Sequence, residues 1–135
     1  MASKGDARFE GLNAEAAMRA ALADSACIMV NRNQGAGTRI LIDRLLGDAR
    51  PDGYWNQPKS HNAVAAAIAQ QRADWGVTLD TIARNAGLGF IPVQHEQYDF
   101  VVPTARLERP AVTAFRARLA DPATREALVR LGMTP

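Results

Sequence analysis

The chain has one cysteine, two histidines, two tryptophans and two tyrosines among 135 residues. The lone Cys27 excludes an internal disulfide, and no Cys/His spacing matches a zinc site. Cys27 is expected to be a buried small apolar residue. No serine elbow, cysteine–histidine arrangement or carboxylate cluster is present, so the residues give an enzyme no foothold. No apolar run approaches the roughly 20 residues that a membrane span needs. The first residues, Met1–Arg8, lack the apolar stretch of a signal peptide. A cytoplasmic chain is therefore expected, with residues 1–8 as a disordered N-terminal segment or a cloning scar. Charge is also modest, +2 overall. Arg8, Arg19, Arg44, Arg72, Arg84, Arg116 and Arg130 are scattered and read as a solvated surface rather than a nucleic-acid patch.

What is present is an α/β pattern. Helices are expected over 14–23 with Asn13 as N-cap, 38–46 with Thr38 as cap, and 61–72 with Ser60 as cap. Further helices are expected over 80–86 after Asp80, from Pro110 to 120, and from Asp121-Pro122 to 131. Strands are expected at 27–31, 75–79, 88–93 and 98–102, the last pair alternatively forming one long connection leading out of the sheet. The fold class that follows is a three-layer α/β sandwich with a mainly parallel sheet. Pro51-Asp52-Gly53 marks a turn in the loop 47–58. Tyr54 and Trp55 in that loop are either an apolar anchor or a pocket wall.

The run Asn31-Arg32-Asn33-Gln34-Gly35-Ala36-Gly37-Thr38-Arg39 links a strand to a helix. Glycine lets the backbone approach a ligand closely, and a helix start offers N–H groups and a positive dipole end to an anion. No lysine follows Gly37, so this is not a Walker loop. Position 40 is isoleucine rather than the third glycine of a dinucleotide fingerprint. A bare Gly-x-Gly turn is as readily structural as functional, but Asn31, Arg32, Asn33 and Arg39 add donors and charge beside it. Lys59-Ser60-His61-Asn62 forms a second donor-rich helix start, which taken alone reads as a cap and a covered first turn. Asp74 reads as a turn or capping residue, and His95 and Glu96 lack a nucleophile or metal to work with.

Five stretches in succession, Met29–Asp43, Lys59–Ala69, Arg72–Val77, Gly87–Val93 and Tyr98–Pro103, are similar as a set to the periplasmic-binding-protein-like substrate-binding domains. That family is related to the type II binding proteins for molybdate and tungstate. The resemblance runs from about Phe9 to the C-terminus. It implies a two-lobed fold with ligand in the cleft, of which 9–135 would hold one lobe plus C-terminal helices, without the N-terminal half of the other. Ala36 departs from the serine common in relatives, which removes one hydroxyl and keeps the backbone donors. The implied role is non-enzymatic sensing of a small oxyanion or a molybdopterin-like anion, with no cofactor or metal. The implied ligand residues are Asn31, Arg32, Gly35, Ala36, Gly37, Thr38, Arg39, Ser60, His61 and Asn62. Relatives are often fused to helix-turn-helix domains or molybdopterin-biosynthesis enzymes, so nucleic acid would be reached only through such a fused domain. A second reading is a domain whose cleft has lost its ligand and serves dimerisation or regulatory contacts.

Overall fold

In a computed structural model describing residues 1–135, side-chain caps set several helix starts. Asn13 accepts from the Ala16 N–H at 2.9 Å and opens α1 (Ala14–Ala23). Ser60 accepts from the Ala63 N–H at 3.1 Å and opens α3 (His61–Ala69). Asp121 accepts from the Thr124 N–H at 2.9 Å and opens α6 (Pro122–Arg130). Two expected caps shift. Helix α2 (Gly37–Leu46) is capped at Ala36 with no side-chain bond, and Thr38 is already helical. Helix α4 (Asp80–Asn85) follows Leu79, with Asp80 in its first turn, where a carboxylate favours the positive dipole end.

Two compact units divide the chain, Met1–Gln94 and His95–Pro135. In the first, β1 (Met29–Val30) and β2 (Trp75–Gly76) pair in parallel, Met29 opposite Trp75 and Val30 opposite Gly76. Successive strand residues face opposite sides of a sheet. Met29 accordingly packs with Ala21, Ile42, Leu46 and Tyr54, and Val30 with Val64, Ala67 and Ile68. Met29, Val30, Ile42, Val64 and Ile68 are fully buried at 0% exposure, so helices seal both faces of this short sheet. The sequence reading sets residues 1–8 outside the domain; here Ala2 forms antiparallel bridges to both Trp75 and Gly89.

The arrangement is α/β with parallel strands, on a sheet of two strands rather than four. No strand forms over 90–102, where only the isolated bridge at Gly89 precedes an extended connection. Apolar composition favours a strand only where a neighbouring strand takes up its N–H and C=O groups. Residues 94–101 are exposed and find none, and Pro92 and Pro103 have no N–H to offer. The alternative reading, a connection leading out of the sheet, describes this stretch.

The second unit holds a 3₁₀ turn (Thr104–Arg106), α5 (Pro110–Ala120) and α6. Pro110 occupies the first turn of α5, where a missing N–H costs little. The Phe100 and Phe115 rings meet edge to face at 4.9 Å. No helix of the chain is long and apolar enough to cross a membrane.

Candidate functional site

A parallel strand pair leaves its carboxyl ends along one edge, and a helix returning between the strands brings its N-terminus to that edge. β1 exits into Asn31-Arg32 and β2 exits into Val77-Thr78. Helix α3 packs on both strands, and its first residue, His61, meets Thr78, with Nδ1 2.9 Å from Thr78 Oγ1. Arg32, His61 and Thr78 thus meet at the strand exits, with the start of α2 following on from Arg32.

The start of the glycine run is tied by backbone hydrogen bonds to the loop 47–58. Asn31 N–H donates to the Asn56 carbonyl at 2.9 Å and Asn33 N–H to the Pro58 carbonyl at 3.3 Å. Asn31 uses its own amide internally, donating from Nδ2 to the Tyr54 carbonyl at 3.1 Å and accepting from the Arg32 N–H at 2.8 Å. Arg39 is 5% exposed. Its Nε donates to Asp43 at 2.8 Å, its Nη1 to the Arg32 carbonyl at 2.9 Å and its Nη2 to the Tyr54 hydroxyl at 2.6 Å. The Tyr54 hydroxyl in turn donates to Asp43 at 2.9 Å. Burial would raise the Asp43 pKa, but the bonds from Arg39 and Tyr54 outweigh it and hold the carboxyl below its usual range. Burial likewise opposes the Arg39 charge, and Asp43 and Tyr54 overcome it. Expected as ligand contacts, Asn31 and Arg39 here point their polar groups into the protein and position Arg32. Tyr54 is the apolar anchor of its loop, while Trp55 remains 75% exposed.

Arg32 is the opposite case. It is 7% exposed, and its Nε and Nη1 are buried with no hydrogen-bond partner. Asn33 Oδ1 is also buried without a donor. Buried guanidinium N–H groups are costly unless an acceptor is supplied. His61 has its pKa lowered, first by burial and then by the Arg32 charge, both of which disfavour the imidazolium. The first N–H groups of α2, Gly37 and Thr38, have no acceptor within the chain. Gly35 (φ +83°) and Ser60 are exposed, as is Asn62, and Ala36 is half-buried.

Thr78 escaped the sequence reading. The strand-exit position two residues after β2 is the signal that points to it. Asp43 was likewise not singled out from the sequence; its place four residues after Arg39 on one helix is the signal for the ion pair seen here. Asp74 lies at the other end of β2, where it accepts from the Ile28 N–H at 2.8 Å and from Arg8 at 2.7 Å. Cys27 is 1% exposed, and burial pushes its thiol up to about 11, unsuited to nucleophilic work near neutrality. A cavity of about 390 Å³ elsewhere in the first unit is lined by Phe9, Met18, Trp75, Val77 and Phe90, and includes neither Arg32 nor His61. Its walls are mainly apolar, so the charged chemistry lies at the strand exits.

Residues 10–120 match the PBP superfamily domain family. The chain is also similar to the uncharacterized protein YvgK of Bacillus subtilis (strain 168), 35% identical over 79 residues, which are 55% of this chain and 26% of that protein. The match thus spans about a quarter of that relative's length. No solved structure matches.

Proposed function

The chain belongs to the PBP superfamily, and on that premise we propose that the strand-exit site binds a small oxyanion of the molybdate and tungstate class, or a molybdopterin-like anion, without catalysing a reaction. The observation that carries this reading is the buried, unpartnered guanidinium of Arg32 on the strand exit that leads into α2, whose first N–H groups have no acceptor in the chain. An oxyanion supplies the acceptors that Arg32 Nε and Nη1 lack, and the helix start favours its negative charge. His61, Ser60 and Asn62 add side-chain donors from the start of α3, while Arg39 and Asn31 hold the Arg32 backbone. In this reading the domain is one lobe of a two-lobed, three-layer binding fold. It would serve as the cytoplasmic sensing part of a transcriptional regulator or another molybdenum-related protein.

Titration calorimetry and thermal shift with molybdate, tungstate, sulfate and phosphate test it. Heat and a raised Tm with at least one of them, lost in Arg32→Ala, are expected; no heat and no shift with any would end the oxyanion reading. A second reading, a domain for dimerisation or regulatory protein contacts, is favoured by Phe100 (65% exposed) and Val101 (92% exposed) in the second unit. In that case gel filtration shows a dimer, and Arg32→Ala changes no binding.

A further inference from the structure

The strand-exit site has an imbalance that bears on which anion it takes. Arg32 contributes one formal positive charge that nothing in the chain neutralises by contact. The neighbouring Arg39 charge is offset by Asp43 at 2.8 Å. The Gly37 and Thr38 N–H groups add partial charge only. A monoanion on Arg32 therefore closes the balance, whereas a dianion leaves one unit of negative charge in a largely buried place.

His61 is the group placed to answer that charge. Its Nδ1 lies 2.9 Å from Thr78 Oγ1, which leaves Nε2 without a hydrogen-bond partner in the chain. The groups around it can be named element by element. Arg32 comes from the exit of β1 and Thr78, which does not titrate in this range, from the exit of β2. β1 and β2 themselves contain no titratable residue. Helix α4 carries Asp80 and Arg84, which pair with each other. Lys59 precedes His61 by two residues and is exposed. Burial and then the Arg32 cation lower the pKa of the half-buried imidazole, and an anion on Arg32 would oppose the second of these influences.

We propose that this site takes a dianion together with one proton from solvent, and that His61 is the proton acceptor. The proposal rests on the oxyanion reading above and adds to it the proton that a doubly charged ligand brings with it. On binding, the imidazole gains a proton and becomes a donor at both nitrogens, Nδ1–H to Thr78 Oγ1 and Nε2–H to the anion. No other bond forms or breaks.

Calorimetry on the full chain at pH 6.5, in buffers of different ionisation enthalpy, reads the proton directly. The probes are sulfate and molybdate as dianions and nitrate as a monoanion. Sulfate is the reference because it takes up no proton itself in this range. The expected result is uptake of about half a proton or more with each dianion that binds, and a Kd that tightens up to about tenfold per pH unit on going down from pH 8 to 6. Nitrate, whose single charge Arg32 already balances, takes up little or no proton. His61→Gln, checked for folding by circular dichroism, binds the dianions more weakly below pH 7, takes up no proton and shows a flat pH profile. Dianion binding without uptake, or an unchanged pH profile in His61→Gln, overturns the proton step while leaving the oxyanion reading intact. Binding of neither sulfate nor molybdate overturns both.

Discussion

Arg32 is worth most attention at the scale of single residues because its side chain works against stability. The residue is 7% exposed and two of its guanidinium nitrogens are buried without an acceptor, while its carbonyl accepts from Arg39. Replacing a poorly compensated buried charge by an apolar side chain of similar length is often stabilising. Arg32→Met is therefore expected to raise stability by roughly 1–3 kcal/mol in anion-free buffer, measured by urea denaturation, and to abolish any anion-dependent rise in Tm. A loss of stability in that variant would mean that Arg32 holds the fold and is not waiting for a ligand. His61 makes a second prediction with a defined sign. Burial, then Arg32, holds its folded pKa below the ordinary value. Between about 6.5, the unfolded value, and the lower folded value, the unfolded chain binds more protons. Stability is then complete above that window and falls as pH falls through it. His61→Gln should remove this slope from a pH series of denaturation midpoints. The sequence made Arg32 and His61 legible as donors beside helix starts, but not that one would be starved of acceptors. That depends on which neighbours consume which carbonyls, and Arg39 takes the one belonging to Arg32.

Between elements, the joint that matters links α2 to the loop 47–58. The Tyr54 hydroxyl bridges Arg39 and Asp43, and its ring lies 4.7 Å from the Arg39 guanidinium carbon. Tyr54→Phe keeps the ring and removes the bridge, which should cost about 1–3 kcal/mol. If Arg39 positions Arg32, the same change also weakens oxyanion binding without touching the ligand; unchanged affinity in a destabilised variant would separate the two. One step earlier, Gly53 has φ +84°, and a Cβ there would sit 1.9 Å from the Met29 carbonyl oxygen. That contact is with the backbone of β1, so it cannot be relieved by a rotamer change. Gly53→Ala should cost roughly 2–5 kcal/mol, combining left-handed strain with overpacking against the strand, as read by the thermal midpoint. Helix starts with a side-chain cap at Asn13, Ser60 and Asp121 were legible from sequence because cap and helix lie within three residues. The strands were legible only where both partners exist. Residues 27–31 and 75–79 shortened to two-residue strands, and 88–93 and 98–102 lacked any ladder, since pairing is set by the rest of the chain and not by the segment.

The two units differ in how much each can bury, and this sets an expectation for the whole chain. Met1–Gln94 contains every fully buried side chain, with Met29, Val30, Ile42, Val64 and Ile68 at its centre. His95–Pro135 has no side chain in the buried class, and Phe100, Phe115, Val129 and Leu131 are 43% to 65% exposed. Segments of about 40 residues seldom bury enough apolar surface to hold a fold unaided, and the ordering entropy of each residue must still be overcome. The contacts available to α5 and α6 within their unit are largely with each other and with Phe100. Their amides should therefore open at far lower free energy than those of the sheet and of α2 and α3. Hydrogen exchange on the full chain reads this residue by residue. Protection in α5 and α6 at least about a hundredfold below that of Val30 and Ile42 is expected, equivalent to roughly 2.7 kcal/mol in opening free energy. Adding a bound oxyanion should raise protection around Gly37, Thr38 and Ala63, next to the strand-exit site, while α5 and α6 stay as they were. Uniform protection across both units in anion-free buffer would show that the second unit is held by contacts as strong as the core's, and that its exposed aromatic side chains are covered in solution. Concentration-dependent protection confined to α5 and α6 would instead point to self-association and favour the dimerisation reading.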